Sequence, residues 1–316
     1  MVAALWSFPF AALRRPLMSP STKSTIPAGI AFSCVSYALF NFHDAAVKLL
    51  VEGDIPVFEV LFTRSLAILI GCILIGGGRA HIARTIASPV MKPMMLRSVL
   101  LLGAWLCYYS AARYLPLGQL MTLYYAAPIA ATLLAVPILK ETVPPIRWIA
   151  ILTGFAGVAA ASGITRLEVS GAALLALTAA VLWATATIYL RRTAMAEKTI
   201  VQMTITNAMF VIAMATATLF FWKTPTLQQV LLLLGTAIFG GLAQYALFES
   251  IRRAPVSVLA PFEYSALVWA FLLGYVIWGD EPTINVVIGA LMIASAGLII
   301  VLSERLAWKK EKAQQS

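Results

Sequence analysis

The sequence contains few charged residues. Only 11% of its 316 residues are Asp, Glu, Lys or Arg, while 61% are hydrophobic and the mean hydropathy is +0.90. A soluble domain would be about one quarter charged, so this chain lacks the polar surface that a water-soluble globule needs. The composition therefore predicts a polytopic membrane protein embedded in a lipid bilayer.

Cysteine and histidine are also scarce. The three cysteines, Cys34, Cys72 and Cys107, lie in apolar segments at spacings that fit neither a secreted disulfide framework nor a zinc site. The two histidines, His43 and His81, form no H-E-x-x-H motif, and the sequence has no P-loop. We therefore expect no metal and no cofactor, and an intramembrane enzyme is only a remote alternative.

The net charge of +10 would indicate a nucleic-acid partner in a soluble protein. Here the basic residues fall in short gaps between apolar runs, a pattern that membrane orientation produces, so we expect no nucleic-acid partner. Residues 1–27 are apolar before they are basic, which is the reverse of a signal peptide. We interpret them as a cytoplasmic N-terminal tail, and translation from Met18 is an alternative.

Apolar runs long enough to cross a bilayer recur along the chain. A hydrocarbon core about 30 Å thick needs roughly 20 apolar residues per helix, and the gaps between the runs are short and contain Pro, Gly or charge. The pattern predicts an all-α membrane protein with ten transmembrane helices near residues 28–50, 56–76, 94–115, 117–138, 146–163, 169–190, 199–221, 229–251, 256–278 and 284–303.

An even number of spans places both termini on one side of the membrane. If that side is the cytoplasm, most basic residues lie inside, and only Lys48, Arg113, Arg166 and Lys223 lie outside. The excess of Lys and Arg in cytoplasmic loops decides the orientation of most membrane proteins. We therefore predict a multi-pass protein of the inner (plasma) membrane with cytoplasmic N- and C-termini.

The two halves of the chain resemble each other. Residues 56–64 align with residues 199–207 at an offset of 143, and residues 113–141 align with residues 252–281 at an offset of 139 to 140. The second alignment pairs Pro116 with Pro255, Tyr125 with Tyr264 and Glu141 with Glu281. Since each half would contain five helices, the second half must enter the membrane with the opposite orientation.

This arrangement predicts two five-helix inverted-topology repeats around a central cavity, an architecture that many secondary transporters use. The predicted divisions are the tail (1–27), the first repeat (28–163), the second repeat (169–303) and a basic cytoplasmic tail (304–316).

With ten predicted spans, the five-plus-five repeat and a P-x7–8-Y…E block that ends the fourth and ninth spans, the sequence resembles the drug/metabolite transporter (DMT) superfamily. Within it the chain is similar to the EamA-type ten-helix transporters, such as the aromatic amino-acid exporters. The resemblance covers about residues 28–303 and implies a cavity formed by helices of both halves. Lys140-Glu141 departs from the usual Gly-Glu pair at the end of the fourth helix.

Polar residues interrupt the first predicted span in the stretch YALFNFHDAAVKLL. Tyr37, Asn41, Asp44 and Lys48 share one helix face by their spacing, and His43 points about 100° away from it. A charged side chain within a bilayer is costly, so it should face the bundle interior or a wet cavity. We expect the stripe to face the cavity, and a structural ion pair between Asp44 and Lys48 is the alternative.

Depth along the predicted helices places further polar and aromatic residues at two levels. The candidate substrate-binding residues are His43, Asp44, Arg64, Tyr108, Tyr124 and Tyr125 in the outer half and Trp183, Glu263 and Tyr264 in the inner half, where Asn207 and Tyr245 also lie. Two alternatives stay open. Arg64 is either a substrate ligand or a structural lock that binds Asp44, Glu59 or helix-end carbonyls, and each ring either contacts substrate or packs in the core.

These features predict a secondary transporter that exports small amphipathic metabolites, above all amino acids with an aromatic or apolar side chain. Asp44, Arg64 and Glu263 would meet the ammonium and carboxylate groups. The alternative is an uptake or exchange carrier for another metabolite, such as a vitamin or a nucleotide derivative. Asp44, His43 and Glu263 are candidate carriers for proton coupling, and we expect a monomer or a weak dimer.

The asymmetry of basic residues leads to a test of topology. In a background without the native cysteines, Asp54→Cys and Thr224→Cys should react with a membrane-impermeant maleimide in intact cells, and Ala196→Cys should not. Labelling of the Ala196→Cys variant in intact cells would contradict both the orientation and the inverted repeat.

Overall fold

Helices account for all regular structure in the part of the chain that the computed structural model describes, residues 25–112, 114–115, 117–162, 170–279, 281 and 283–315. The helices are α1 (Ile26–Glu52), α2 (Val57–Gly76), α3 (Arg79–Ile86), α4 (Met91–Ala112), α5 (Leu117–Tyr124), α6 (Ala127–Leu139), α7 (Pro145–Ala161), α8 (Gly171–Ala194), α9 (Thr199–Phe221), α10 (Leu227–Arg253), α11 (Val256–Glu263), α12 (Ser265–Leu273) and α13 (Ile284–Gln315). A π-helical turn, Gly274–Trp278, follows α12. Most of the predicted N-terminal tail, including Met18, lies outside the described residues.

The number of membrane-capable helices is lower than predicted. Among the described residues, eight helical stretches are long and apolar enough to cross a membrane, and a ninth is added if α3 and α4, which meet at a 91° bend, count as one span. α4 begins with a stretch that carries Lys92 and Arg97, which lowers its apolarity. α7 has only 17 residues. Helices nevertheless occur at each of the ten predicted positions, and α3 lies in a predicted loop.

Contacts between helix ends show how successive segments run. Thr25 donates a hydrogen bond to the Arg253 carbonyl (2.8 Å), and at the other end of α1 the Gln229 side chain donates to the Gly53 carbonyl (2.8 Å). α1 and α10 are therefore antiparallel. We call the end of the bundle where α1 begins the proximal face and the end where α1 finishes the distal face.

Helices that the repeat aligns with each other are also antiparallel. The Lys223 amide after α9 donates to Glu59 at the start of α2 (2.9 Å). Arg147 at the start of α7 forms a 2.8 Å ion pair with Glu304 in the second half of α13, and Gly157 near the end of α7 packs on Gly289 near the start of α13. In both pairs the start of one helix lies beside the later part, or the end, of its partner.

The most extensive helix contacts follow a two-fold pattern. They join α1 to α10, α4 to α8, α2 to α9, and α7 to α13. Exchange of the two halves turns the α1–α10 pair into the α8–α4 pair and leaves the other two pairs unchanged. The α7–α13 contact is close, since a Cβ at Gly157 would lie 2.9 Å from the Gly289 carbonyl oxygen, and small residues allow such backbone approach.

The glutamate of the repeated block has a defined structural role. Glu141, just after α6, accepts hydrogen bonds from the Val256 amide (3.0 Å), the Ser257 amide (3.2 Å) and the Ser257 hydroxyl (2.8 Å). These amides belong to the first turn of α11, whose N-cap residue is Pro255 and supplies no side-chain cap. Glu141 therefore caps a helix of the other half, which satisfies amides that a helix start leaves unpaired.

We expect Glu141→Ala to destabilise the fold by about 1–2 kcal/mol, the usual loss when a helix cap is removed. Thermal unfolding of the purified protein in detergent measures the effect. The control is Lys140→Asn, because Lys140 is exposed and has a φ of 54°, which asparagine tolerates. Equal melting temperatures for the two variants would show that the cap contributes nothing.

Candidate functional site

Two segments of the bundle are broken at residues that the repeat aligns. α5 ends at Tyr124 and α6 begins at Ala127, so Tyr125 lies in the turn between them. Tyr264, the partner of Tyr125 in the alignment, lies between α11 and α12. Pro128 in the first turn of α6 has no N–H to donate to the preceding turn, which favours the first break. Discontinuous helices of this kind form the substrate sites of many transporters.

The aromatic residues predicted at two depths form one cluster. Ring centroids are 4.9 Å apart for Tyr108 and Tyr124, 6.0 Å for Tyr124 and Tyr125, 6.5 Å for Tyr124 and Trp183, and 6.1 Å for Tyr125 and Tyr264. These distances fall in the range of favourable ring contacts. The prediction of two separate levels is wrong, because depth counts assume unbroken helices and both breaks fall at the cluster.

The side chain of Tyr264 is fully buried, and its ring packs against helix α7. A Cβ at Gly154 would lie 2.4 Å from the Tyr264 ring, so glycine is needed for the ring to occupy this place. The sequence prediction missed Gly154, since nothing in a local pattern marks a glycine that faces a distant ring.

Glu263 lies at one edge of the cluster, in the bundle interior. Its carboxyl group is near the Tyr37 hydroxyl and the Trp183 indole, and among the described residues it forms no ion pair. The adjoining cavity has a volume of about 20 Å³ and is also lined by Ser33 and Thr187. This is enough room for one ordered water molecule.

His43, Asp44 and Arg64 form a chain of contacts in the distal half. His43 Nδ1 lies 2.8 Å from Asp44 Oδ1, and His43 Nε2 lies 3.3 Å from Arg64 Nη1. Because a guanidinium only donates, Nε2 must accept, so the imidazole is neutral and its Nδ1–H donates to Asp44. If His43 were protonated, its Nε2–H and the Arg64 Nη1–H would both be donors, and the hydrogen bond between the two side chains would be lost.

Arg64 is held by residues that the sequence prediction did not name. Its guanidinium lies over the Trp105 ring at 5.8 Å, within the range of cation–π contacts. A Cβ at Gly240 would approach both Arg64 and His43 to 2.9 Å. The two consecutive glycines at 240–241 in the sequence could have indicated that another helix packs closely against α10 at this point.

The predicted alternative of an Asp44–Lys48 ion pair is wrong. Asp44 pairs with His43, and Lys48 lies 3.9 Å from Glu52 and 3.8 Å from the centre of the Trp278 ring. Both ion pairs lie within α1, with Asp44 bound to its sequence neighbour and Lys48 paired with Glu52 at i, i+4, and only the Trp278 contact of Lys48 comes from another part of the chain. Within the stripe, Asp44 has a side-chain exposure of 72% and lies close enough to Tyr108 and Tyr125 to interact electrostatically.

Two residues predicted at the inner level lie away from the cluster. Tyr245 is 40% exposed. Asn207 donates to Gln244 and to the Met203 carbonyl, both at 2.8 Å. Neither residue joins a ring pair of the cluster among the described contacts.

Comparison with known proteins identifies the family. The EamA-like transporter family matches residues 27–163 and, a second time, residues 170–302. The chain belongs to the EamA-like transporter family. The resemblance inferred from the sequence is confirmed, and this member of the family is a multi-span membrane transporter rather than an enzyme.

Individual relatives are distant. The riboflavin transporter of Vibrio cholerae serotype O1 is 26% identical over 218 residues, which cover 68% of this chain and 70% of that protein. The S-adenosylmethionine uptake transporter of Rickettsia bellii is 24% identical over 217 residues, which cover 69% and 75%. One solved crystal structure has 21% sequence identity and a TM-score of 0.74, and the match covers 89% of this chain and 99% of that one, which is a likeness of fold.

The contacts of Asp44 predict which residues are energetically coupled. In double-mutant cycles on thermal stability, Asp44→Ala and His43→Gln should show coupling of about 1.5–3 kcal/mol, the value of a hydrogen bond to a charged group. Asp44→Ala and Lys48→Met should be additive within about 0.5 kcal/mol, since the two residues share no direct contact. Strong coupling in the second cycle would restore the Asp44–Lys48 pair.

Proposed function

We propose that this transporter carries a small metabolite with a planar heteroaromatic ring, of the vitamin or nucleotide-derivative class, by alternating access. The observation that carries the proposal is the continuous five-ring cluster where two broken helices meet. Aromatic side chains bind heteroaromatic rings by stacking, at about 1–3 kcal/mol per ring for nucleic-acid bases. Polar groups at both edges of the cluster would bind the substituents of such a ring.

The relatives support this substrate class. Their names specify riboflavin and S-adenosylmethionine, which contain a flavin and an adenine ring, and the Rickettsia bellii protein is an uptake transporter. Export of amino acids, the main expectation from the sequence, has no counterpart in these names. The alternative expectation, uptake or exchange of a vitamin or nucleotide derivative, fits them better.

Alternating access would come from an inverted repeat of ten spans. The two family matches divide the chain into halves, and the antiparallel α2–α9 and α7–α13 pairs are what opposite insertion of those halves requires. We infer that the proximal face is cytoplasmic and that both termini lie there, as the distribution of basic residues predicts. The short α7 would then span as part of the bundle, covered by α13.

Asp44, His43 and Glu263 are the groups through which proton coupling would act. The neutral His43 ring links Asp44 to Arg64, and its protonation would break the contact between His43 and Arg64. Glu263 is a buried carboxyl group without an ion pair among the described residues, and an intramembrane ionisable group of this kind is a candidate for a functional role.

Counterflow in proteoliposomes tests the substrate class. Vesicles preloaded with unlabelled riboflavin, S-adenosylmethionine or tryptophan should accumulate the matching labelled compound in the first or second case and not in the third. Exchange of tryptophan alone would return the function to amino-acid export and reject the heteroaromatic class.

Loss of a ring should weaken substrate binding more than it weakens the fold. We expect Tyr124→Ala and Trp183→Ala to raise the KM for counterflow about tenfold or more, since each removes about 1–3 kcal/mol of stacking. Tyr124→Phe keeps the ring and should stay within about threefold of the wild type. Tyr245→Ala is the matched control, because Tyr245 is exposed outside the cluster. Unchanged KM values for both ring deletions would refute stacking at this cluster.

A further inference from the structure

Arg97 is a buried arginine with no role in the site described above. It lies on α4, about 9 Å from the proximal start of that helix, and is only 2% exposed. Its guanidinium donates to the Thr206 hydroxyl and lies 4.7 Å from the centre of the Phe248 ring. Its Nε has no hydrogen-bond acceptor among the described residues.

The repeat relates this arginine to Arg64. Trp105, which lies against Arg64, and Phe248, which lies against Arg97, are separated by 143 residues, the offset that aligns α2 with α9. Each half therefore contains an aromatic ring at an equivalent position, and each of these rings lies against an arginine of the first half.

The two guanidinium groups come from helices that the repeat does not align with each other, Arg64 from α2 and Arg97 from α4. At the same offset Arg64 corresponds to Asn207, and Arg97 corresponds to Gly240. Gly240 packs directly against Arg64, and Asn207 follows Thr206, the hydrogen-bond partner of Arg97. In the second half, α9 has Asn207 where α2 of the first half has Arg64. Arg97, which comes from α4 of the first half, supplies the guanidinium next to α9, so a positive charge lies at both equivalent positions.

The surroundings of Arg97 are rich in donors and poor in acceptors. Gln202, one helical turn before Thr206, has a fully buried side-chain nitrogen without a hydrogen-bond partner among the described residues. No described carboxylate forms an ion pair with Arg97, and Glu249, next to Phe248, is engaged by Arg253 and Thr199. A buried cation without a counterion is unfavourable, and a cluster of donors suits an anionic ligand.

We propose that Arg97 binds the anionic group of the substrate when the carrier is open to the proximal face, as the counterpart of Arg64 at the distal face. This rests on the proposed alternating access and narrows the substrate class to heteroaromatic metabolites that carry a carboxylate or phosphate. A structural lock would instead pair Arg97 with a carboxylate or with helix-end carbonyls, as Arg147 pairs with Glu304 and Arg191 with the carbonyls at the end of α10.

S-adenosylmethionine, which carries a carboxylate, is the transport probe in proteoliposomes with access to one face at a time. We expect Arg97→Met to raise the half-saturating concentration about 10- to 100-fold from the proximal face, the equivalent of one charged hydrogen bond, and less than threefold from the distal face. Arg84→Met, a change at an exposed arginine of α3, should alter neither value.

Thermal stability separates binding from scaffolding. Because Arg97→Met removes an unpaired buried charge, the melting temperature should stay within about one degree or rise. A fall of several degrees would make Arg97 structural, and an unchanged half-saturating concentration at the proximal face would exclude it from the pathway. Either result overturns the proposal.

Modification by phenylglyoxal, which reacts with arginine, requires no substrate. In wild-type membranes Arg97 should be modified more slowly than the exposed Arg84 but faster than Arg191, which is equally buried and binds the carbonyls at the end of α10. If the protein exchanges no S-adenosylmethionine, this reaction decides the role of Arg97 independently of the proposed function. Protection equal to that of Arg191 would overturn the proposal.

Discussion

A lipid bilayer offers no hydrogen-bond partner to a peptide group, so a membrane helix can break only where protein or a wet cavity surrounds the break. This constraint places the site. The breaks at Tyr125 and Tyr264 face each other across the bundle, with 6.1 Å between the two rings. Both broken segments are anchored elsewhere, by Glu141 at the start of α11 and by the Gly154 contact of Tyr264. The interior can therefore hold irregular backbone that would be unstable against lipid.

The two faces of the bundle are held by contacts of different kinds. The proximal face has the Arg147–Glu304 pair, largely buried at 2.8 Å, and the Glu141 cap. The distal face has the hydrogen bonds of Lys223 to Glu59 and of Gln229 to Gly53, and Lys48 lies over the Trp278 ring at 3.8 Å. Asp44, in the distal half, is largely exposed. Among the described residues an ion pair between helices thus lies at the proximal face, while hydrogen bonds and a cation–π contact join the segments at the distal face.

Apolar runs and turn residues were sufficient to place helices at all ten predicted positions, because helix formation in a bilayer depends on local composition. The predicted spans were unbroken and missed both breaks, although the breaks fall at the two tyrosines that the repeat aligns. Local patterns could not predict that His43, rather than Lys48, is the partner of Asp44, or that Trp105 and Gly240 surround Arg64. The contacts of Arg64 join residues far apart in the chain, and only the packed bundle brings them together, whereas Asp44 binds its sequence neighbour because the His43 ring is fixed on its other side by Arg64.

In a site of this kind, stacking contributes affinity for any planar ring and hydrogen bonding distinguishes one substrate from another. A ring cluster accepts many planar molecules, because every aromatic substrate has a π-face. Discrimination must come from the buried polar groups, since a site built to hydrogen-bond a substrate rejects an analogue that leaves those groups unpaired. Here Glu263 lies beside Trp183 of the cluster, and Asp44, which pairs with His43, lies near Tyr108 and Tyr125. Relatives that share the fold and the rings can therefore carry different metabolites through changes at a few polar positions.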